Sequence, residues 1–69
     1  MEYLDADKLA RVLGRGRSTA HATLTTIAVA HPDAVIDEGE GRTARRLVAV
    51  TAVAAHLRLD VADVLLLAA

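Results

Sequence analysis

The sequence has no cysteine, phenylalanine or tryptophan, and only one tyrosine, one proline and one lysine. Without cysteine there are no disulfides to brace the fold, and no thiolate for metal binding or nucleophilic attack. With Tyr3 as the only aromatic residue, the core has to be assembled from many small aliphatic pieces, and Tyr3 reads as a core plug rather than a base-stacking platform. No apolar run approaches the ~20 residues that cross a bilayer. The first residues, Met1-Glu2-Tyr3-Leu4-Asp5, are acidic and do not read as a secretory leader. A cytoplasmic protein without a membrane partner is the expectation.

What is present is a chain of 69 residues, 54% of them hydrophobic. At this length a chain buries only about 60% of its unfolded surface, so the fold closes on apolar packing alone or gains from self-association. One domain, 1–69, is expected. The net charge is −1, with seven arginines among the eight basic residues. That balance argues mildly against nucleic-acid binding, but the distribution matters more than the sum. Arg11, Arg15 and Arg17 form one cluster and Arg42, Arg45 and Arg46 another, while the acids gather at the start, between Asp33 and Glu40, and near the end.

Local signals divide the chain. Asp5 is suited to cap a helix running to Leu13, with Asp7 favourable at the positive end of its dipole. Ala6, Leu9, Ala10 and Leu13 recur at helical spacing as one apolar stripe. Gly14 supplies the left-handed conformation that ends a helix, and Gly14 to Arg17 reads as a short turn. Ser18 is the expected N-cap of a second helix, with Ala20, Leu24, Ile27 and His31 on one face. Pro32 stops that helix near Ala30. Residues 34–48 read as a β-hairpin with a glycine-containing tip. Ala49 to Leu57 reads as a third helix, with Val50, Val53, Ala54 and Leu57 inward and His56 partly buried. Asp60 is placed to cap a last helix, Val61 to Ala68, whose Val64, Leu65, Leu66 and Leu67 spread apolar surface over more than one face.

Two helices joined by a glycine-containing turn of about four residues have the helix-turn-helix layout, in which the second helix presents short polar side chains and free N–H groups to DNA. The run Leu4-Asp5-Ala6-Asp7-Lys8-Leu9-Ala10-Arg11-Val12-Leu13-Gly14-Arg15-Gly16-Arg17-Ser18-Thr19 resembles the opening of excisionase-like and MerR-like winged helix-turn-helix domains. The hairpin with Arg45-Arg46-Leu47-Val48, and the helix ending at Leu57, resemble that family's wing and third helix. The resemblance covers about residues 4–57. It implies a mainly α fold with a small β-hairpin: a helix-turn-helix over 5–30, a wing over 34–48 and a third helix; residues 58–69 have no clear counterpart in the family, and the last of the two C-terminal helices over 49–69 is read from its own residues. It also implies sequence-specific binding to double-stranded DNA, as a small bacterial or phage transcriptional regulator or a recombination (excision) accessory factor.

Arg17, Ser18 and Thr19 match the start of the family's recognition helix, and Arg17 suits a bidentate contact with phosphate or guanine. His21, Ala22 and Thr23 fall on the next turn. The family often has arginine where this chain has Ala22, which leaves Thr23 and Thr26 as readers. Arg15, with Arg42, Arg45 and Arg46 on the wing, is placed for the DNA backbone. A second departure is the acidic wing, where Asp37, Glu38 and Glu40 oppose approach to phosphate.

The plainer readings stand beside these. The arginines serve equally as solvated residues paired with nearby acids, each pair contributing about 0–1 kcal/mol. His21, His31 and His56 lack metal-ligand spacing. Gly14-x-Gly16 lacks the lysine of a phosphate loop. No nucleophile–base pair stands out, so neither an enzyme nor a cofactor is expected. The apolar last helix suits core packing or a homodimer contact. The acidic hairpin and that helix together favour a rival class, a protein-interaction module on the same fold, with a recombinase as one such partner.

Overall fold

The computed structural model of the protein describes residues 2–69, with the backbone alone for Thr43. The elements are β1 (Tyr3–Leu4), α1 (Ala6–Leu13), α2 (Arg17–Ala30), β2 (Val35–Glu38), β3 (Arg45–Ala49), α3 (Val50–Leu57) and α4 (Val61–Ala68). Short 3-10 turns lie at Pro32–Ala34 and Gly41–Thr43. Among the described residues the fold is mainly helical, with four helices and one antiparallel sheet in the order β1–β3–β2.

α1 starts and stops where its cap residues dictate. Asp5 is extended and its carboxylate accepts the Lys8 amide at 2.9 Å. Gly14 closes the helix at φ +65°, a conformation cheap only for glycine. The buried stripe is Ala6, Leu9 and Val12, with Ala10 and Leu13 half-buried. It is rotated from the expected stripe because α1 packs against two helices, α2 and α4, rather than one.

α2 begins earlier than expected. Gly16, extended at φ −73° and ψ 170°, occupies the N-cap position, and its carbonyl accepts from the Ala20 amide at 3.1 Å. Ser18 is therefore not the N-cap but lies inside the first turn, because the connecting turn needs only Gly14 to Gly16. Ala20, Leu24 and Ile27 are buried as the spacing predicts. The helix ends at Ala30, ahead of Pro32.

The hairpin register is Val35↔Val48, Ile36↔Leu47, Asp37↔Arg46 and Glu38↔Arg45. A third strand was not anticipated: β1 adds to the other edge of β3, pairing Tyr3↔Ala49 and Leu4↔Val48. Leu4 is thereby buried, whereas Tyr3 is half-buried in an edge strand instead of plugging the core. β3 runs into α3 without a loop, so Ala49 closes the strand rather than opening the helix. His56 is exposed, since the inward positions of α3 are Val50, Ala52, Val53 and Ala54.

α3 ends at Arg58, which is left-handed at φ 58°. Asp60 occupies the N-cap position of α4, but its carboxylate makes no capping hydrogen bond. Val64 and Ala68 anchor α4, and Arg11 Nη1 donates to the Ala68 carbonyl at 3.5 Å. Leu4, Leu9, Ile27, Val48, Val50, Val53 and Val64 are the largest fully buried side chains, and they draw on α1 to α4, β1 and β3. Among the described residues, no helix is long and apolar enough to cross a membrane.

Candidate functional site

Between α2 and the tip-side half of the hairpin lies a groove. One end is lined by Asp5, Ala6, Asp7, Arg17, His21, Leu24, Ala44, Arg45 and Arg46. The other continues past His21 to Thr25, Asp37, Glu38 and Gly39. Leu24 is buried and forms apolar floor; along the rim Asp5 is half-buried and the other polar groups are exposed.

The fold brings Arg17, His21, Arg45 and Arg46 together here, although the two clusters are far apart in sequence. Arg17 is the first residue of α2, and Ser18 and Thr19 follow it, exposed. No side-chain capping hydrogen bond is made at Gly16, and the leading amides of α2, as at any helix start, have no intrahelical acceptor. Arg15 is exposed in the turn and Arg42 in the 3-10 turn at the hairpin tip, both outside the groove. Thr23 differs from its expected exposure. It is half-buried, because it lies beside the inward row of Ala20, Leu24 and Ile27.

The groove is not basic. Its three arginines face four carboxylates, Asp5, Asp7, Asp37 and Glu38. Each arginine is also held. Arg17 Nε lies 3.4 Å from Asp7 Oδ1, and Arg46 Nε donates to Asp37 Oδ1 at 2.9 Å. Arg45 donates to Glu38 Oε1 through Nη2 at 3.1 Å and to Asp5 Oδ2 through Nη1 at 3.3 Å. The hairpin register opposes Arg46 to Asp37 and Arg45 to Glu38, so two of these pairs follow from strand pairing itself. All are on the surface and individually weak. Among the described residues, no cluster of three or more His, Asp or Glu side chains is arranged to hold a metal ion.

Thr25 escaped the sequence reading, and Thr26, expected as a reader, turns its hydroxyl back on the helix as Thr25 does. Thr25 lines the groove, and its hydroxyl donates to the His21 carbonyl at 3.0 Å. Thr26 does the same to the Ala22 carbonyl at 3.1 Å. The spacing of Ser18, Ala22, Thr25 and Val29 at i, i+4, i+7 and i+11 marks the outward row that carries Thr25. No protein-family model, curated protein or solved structure matches the chain, so any function has to be argued from the groove and its residues.

Proposed function

We propose that the protein is a winged helix-turn-helix DNA-binding protein, a small transcriptional regulator or recombination accessory factor that lays α2 in the major groove. The observation that carries this reading is the convergence of Arg17 from α2 with Arg45 and Arg46 from β3 along one groove. Support also comes from the three-residue turn between α1 and α2, and from the exposed start of α2 with its uncapped amides. At about 1.5 Å per residue, α2 is long enough to cross a major groove about 12 Å wide. Arg17, Ser18 and Thr19 would meet the DNA first, while Arg15 and Arg42 reach the flanking phosphates. The apolar outer surface of α4, where Leu66 is 75% exposed, would join two copies over a longer site.

A second reading is favoured by one specific observation. Arg17, Arg45 and Arg46 are already paired with carboxylates, as suits a protein-interaction module more than a phosphate binder.

Fluorescence anisotropy against random duplex DNA at low and moderate salt separates the two. Neutralising about four phosphates predicts a log–log salt slope near −3.6. The expected result is binding that weakens at that slope and drops with Arg17→Ala. No binding by folded protein at low salt would move the function to the protein-interaction class.

A further inference from the structure

We propose that the outer face of α2 recognises the 5-methyl groups of thymine, so that the preferred site is defined by thymines lying under Thr25, Thr26 and Ala22. The inference rests on α2 entering the major groove as proposed above. After Arg17, α2 carries no charged side chain and no Asn or Gln. The usual bidentate readers of guanine and adenine edges are therefore absent from the rest of the helix.

The threonines do not replace them. A hydroxyl has one proton to donate, and Thr25 and Thr26 each spend it on a helix carbonyl, at 3.0 and 3.1 Å. A threonine turned back in this way has only acceptor capacity left on its oxygen, and its methyl is available to meet an apolar group. Ala22 adds another methyl, and Val29 is 79% exposed further along the same row. α2 thus presents an apolar outer row that runs on from the polar start of the helix, where Arg17 and His21 lie.

In the major groove the complementary apolar group is the thymine methyl. Ala22 and Val29 would strip water from the amino group of cytosine or adenine and return no hydrogen bond, which is unfavourable, whereas a threonine oxygen whose proton is spent can still accept from it. The same helix therefore attracts thymine through its methyls and disfavours amino groups under Ala22.

The test starts from a duplex selected by the native protein out of a random pool. Replacing every thymine by deoxyuridine deletes the methyls and leaves every hydrogen-bonding group in place. Burying one such carbon is worth about 0.8 kcal/mol, so each lost contact weakens binding about fourfold, and two weaken it about fifteenfold. Thr26→Val keeps the methyl and loses the hydroxyl, so it should bind both duplexes like the native protein. Thr26→Ser keeps the hydroxyl and loses the methyl, so it should bind the thymine duplex about fourfold more weakly and show a smaller uracil penalty. Equal affinity of the native protein for the two duplexes overturns thymine recognition while leaving DNA binding intact. A loss with Thr26→Val as large as with Thr26→Ser assigns the contact to the hydroxyl and overturns it too. Failure of folded native protein to select any duplex overturns both this inference and the DNA-binding reading beneath it.

Discussion

Asp5 and Arg45 meet across 40 positions of sequence, with Oδ2 lying 3.3 Å from Nη1. The other oxygen of the same carboxylate accepts the Lys8 amide. One side chain thus begins α1 and restrains an arginine of the groove. Asp5→Ala removes both roles and should cost about 0.5–2 kcal/mol of stability, the usual loss of a cap. Asp5→Ser keeps the cap and should melt close to the native protein. Both variants release Arg45 from one of its two carboxylates, so both should bind DNA more tightly, by up to about fivefold for a surface pair. Thermal unfolding and anisotropy on the two variants check this. Tightening seen with neither variant would mean that Asp5 does not compete with phosphate for Arg45.

Two left-handed positions predict stability changes of opposite sign. Gly14 stands at φ +65° and Arg58 at φ 58°, both ending helices. Gly14→Ala places a Cβ where it costs about 1–2 kcal/mol. Arg58→Gly relieves that same cost against the greater freedom glycine has when unfolded, for a net gain of about 0.5–1 kcal/mol. Since 1 kcal/mol moves the midpoint by roughly 4–8 °C in a domain of this size, differential scanning calorimetry resolves both. A rise in midpoint with Gly14→Ala, or a fall with Arg58→Gly, would contradict the backbone account.

The exposed surface of α4 predicts self-association. Leu66 is 75% exposed and contributes little to its own fold, so Leu66→Lys should leave stability within about 0.5 kcal/mol. In sedimentation equilibrium the native protein should show a concentration-dependent dimer that Leu66→Lys abolishes. A native protein that stays monomeric at high concentration, or a dimer untouched by the lysine, would remove α4 from the interface.

The elements legible in the sequence are those governed by near neighbours. Asp5, Gly14 and Pro32 act within a turn of themselves, and they set the ends of α1 and the end of α2. The hairpin was legible because two short runs flank a glycine-containing tip. What stayed hidden depends on distant partners. β1 has only two residues and no pattern of its own, and it exists because β3 offers a free edge. The shift of the buried stripe of α1 toward Val12 required knowing that α4 lies against it. Ser18 failed as a cap because a two-glycine turn can close two residues sooner than composition suggests. In the site, the arginines and the hairpin acids Asp37 and Glu38 were legible, but the acids that reach them from the start of α1 were not. Asp5 and Asp7 come from the start of α1, and only the folded chain brings them to Arg45 and Arg17.

The central place of β3 has a consequence for how the chain is made and folded. Leu4 pairs with Val48, a separation of 48 − 4 = 44 positions, and both are buried. During synthesis α1 and α2 emerge well before β3, with the apolar side of α1 unable to find the strand that fixes β1 beside it. Contacts this distant in sequence close late and slow the reaction as a whole. The two leading helices are therefore not a free-standing unit that later segments decorate. A fragment ending before Arg45 should remain without cooperative structure, and the whole chain should acquire its fold in one step once β3 is available.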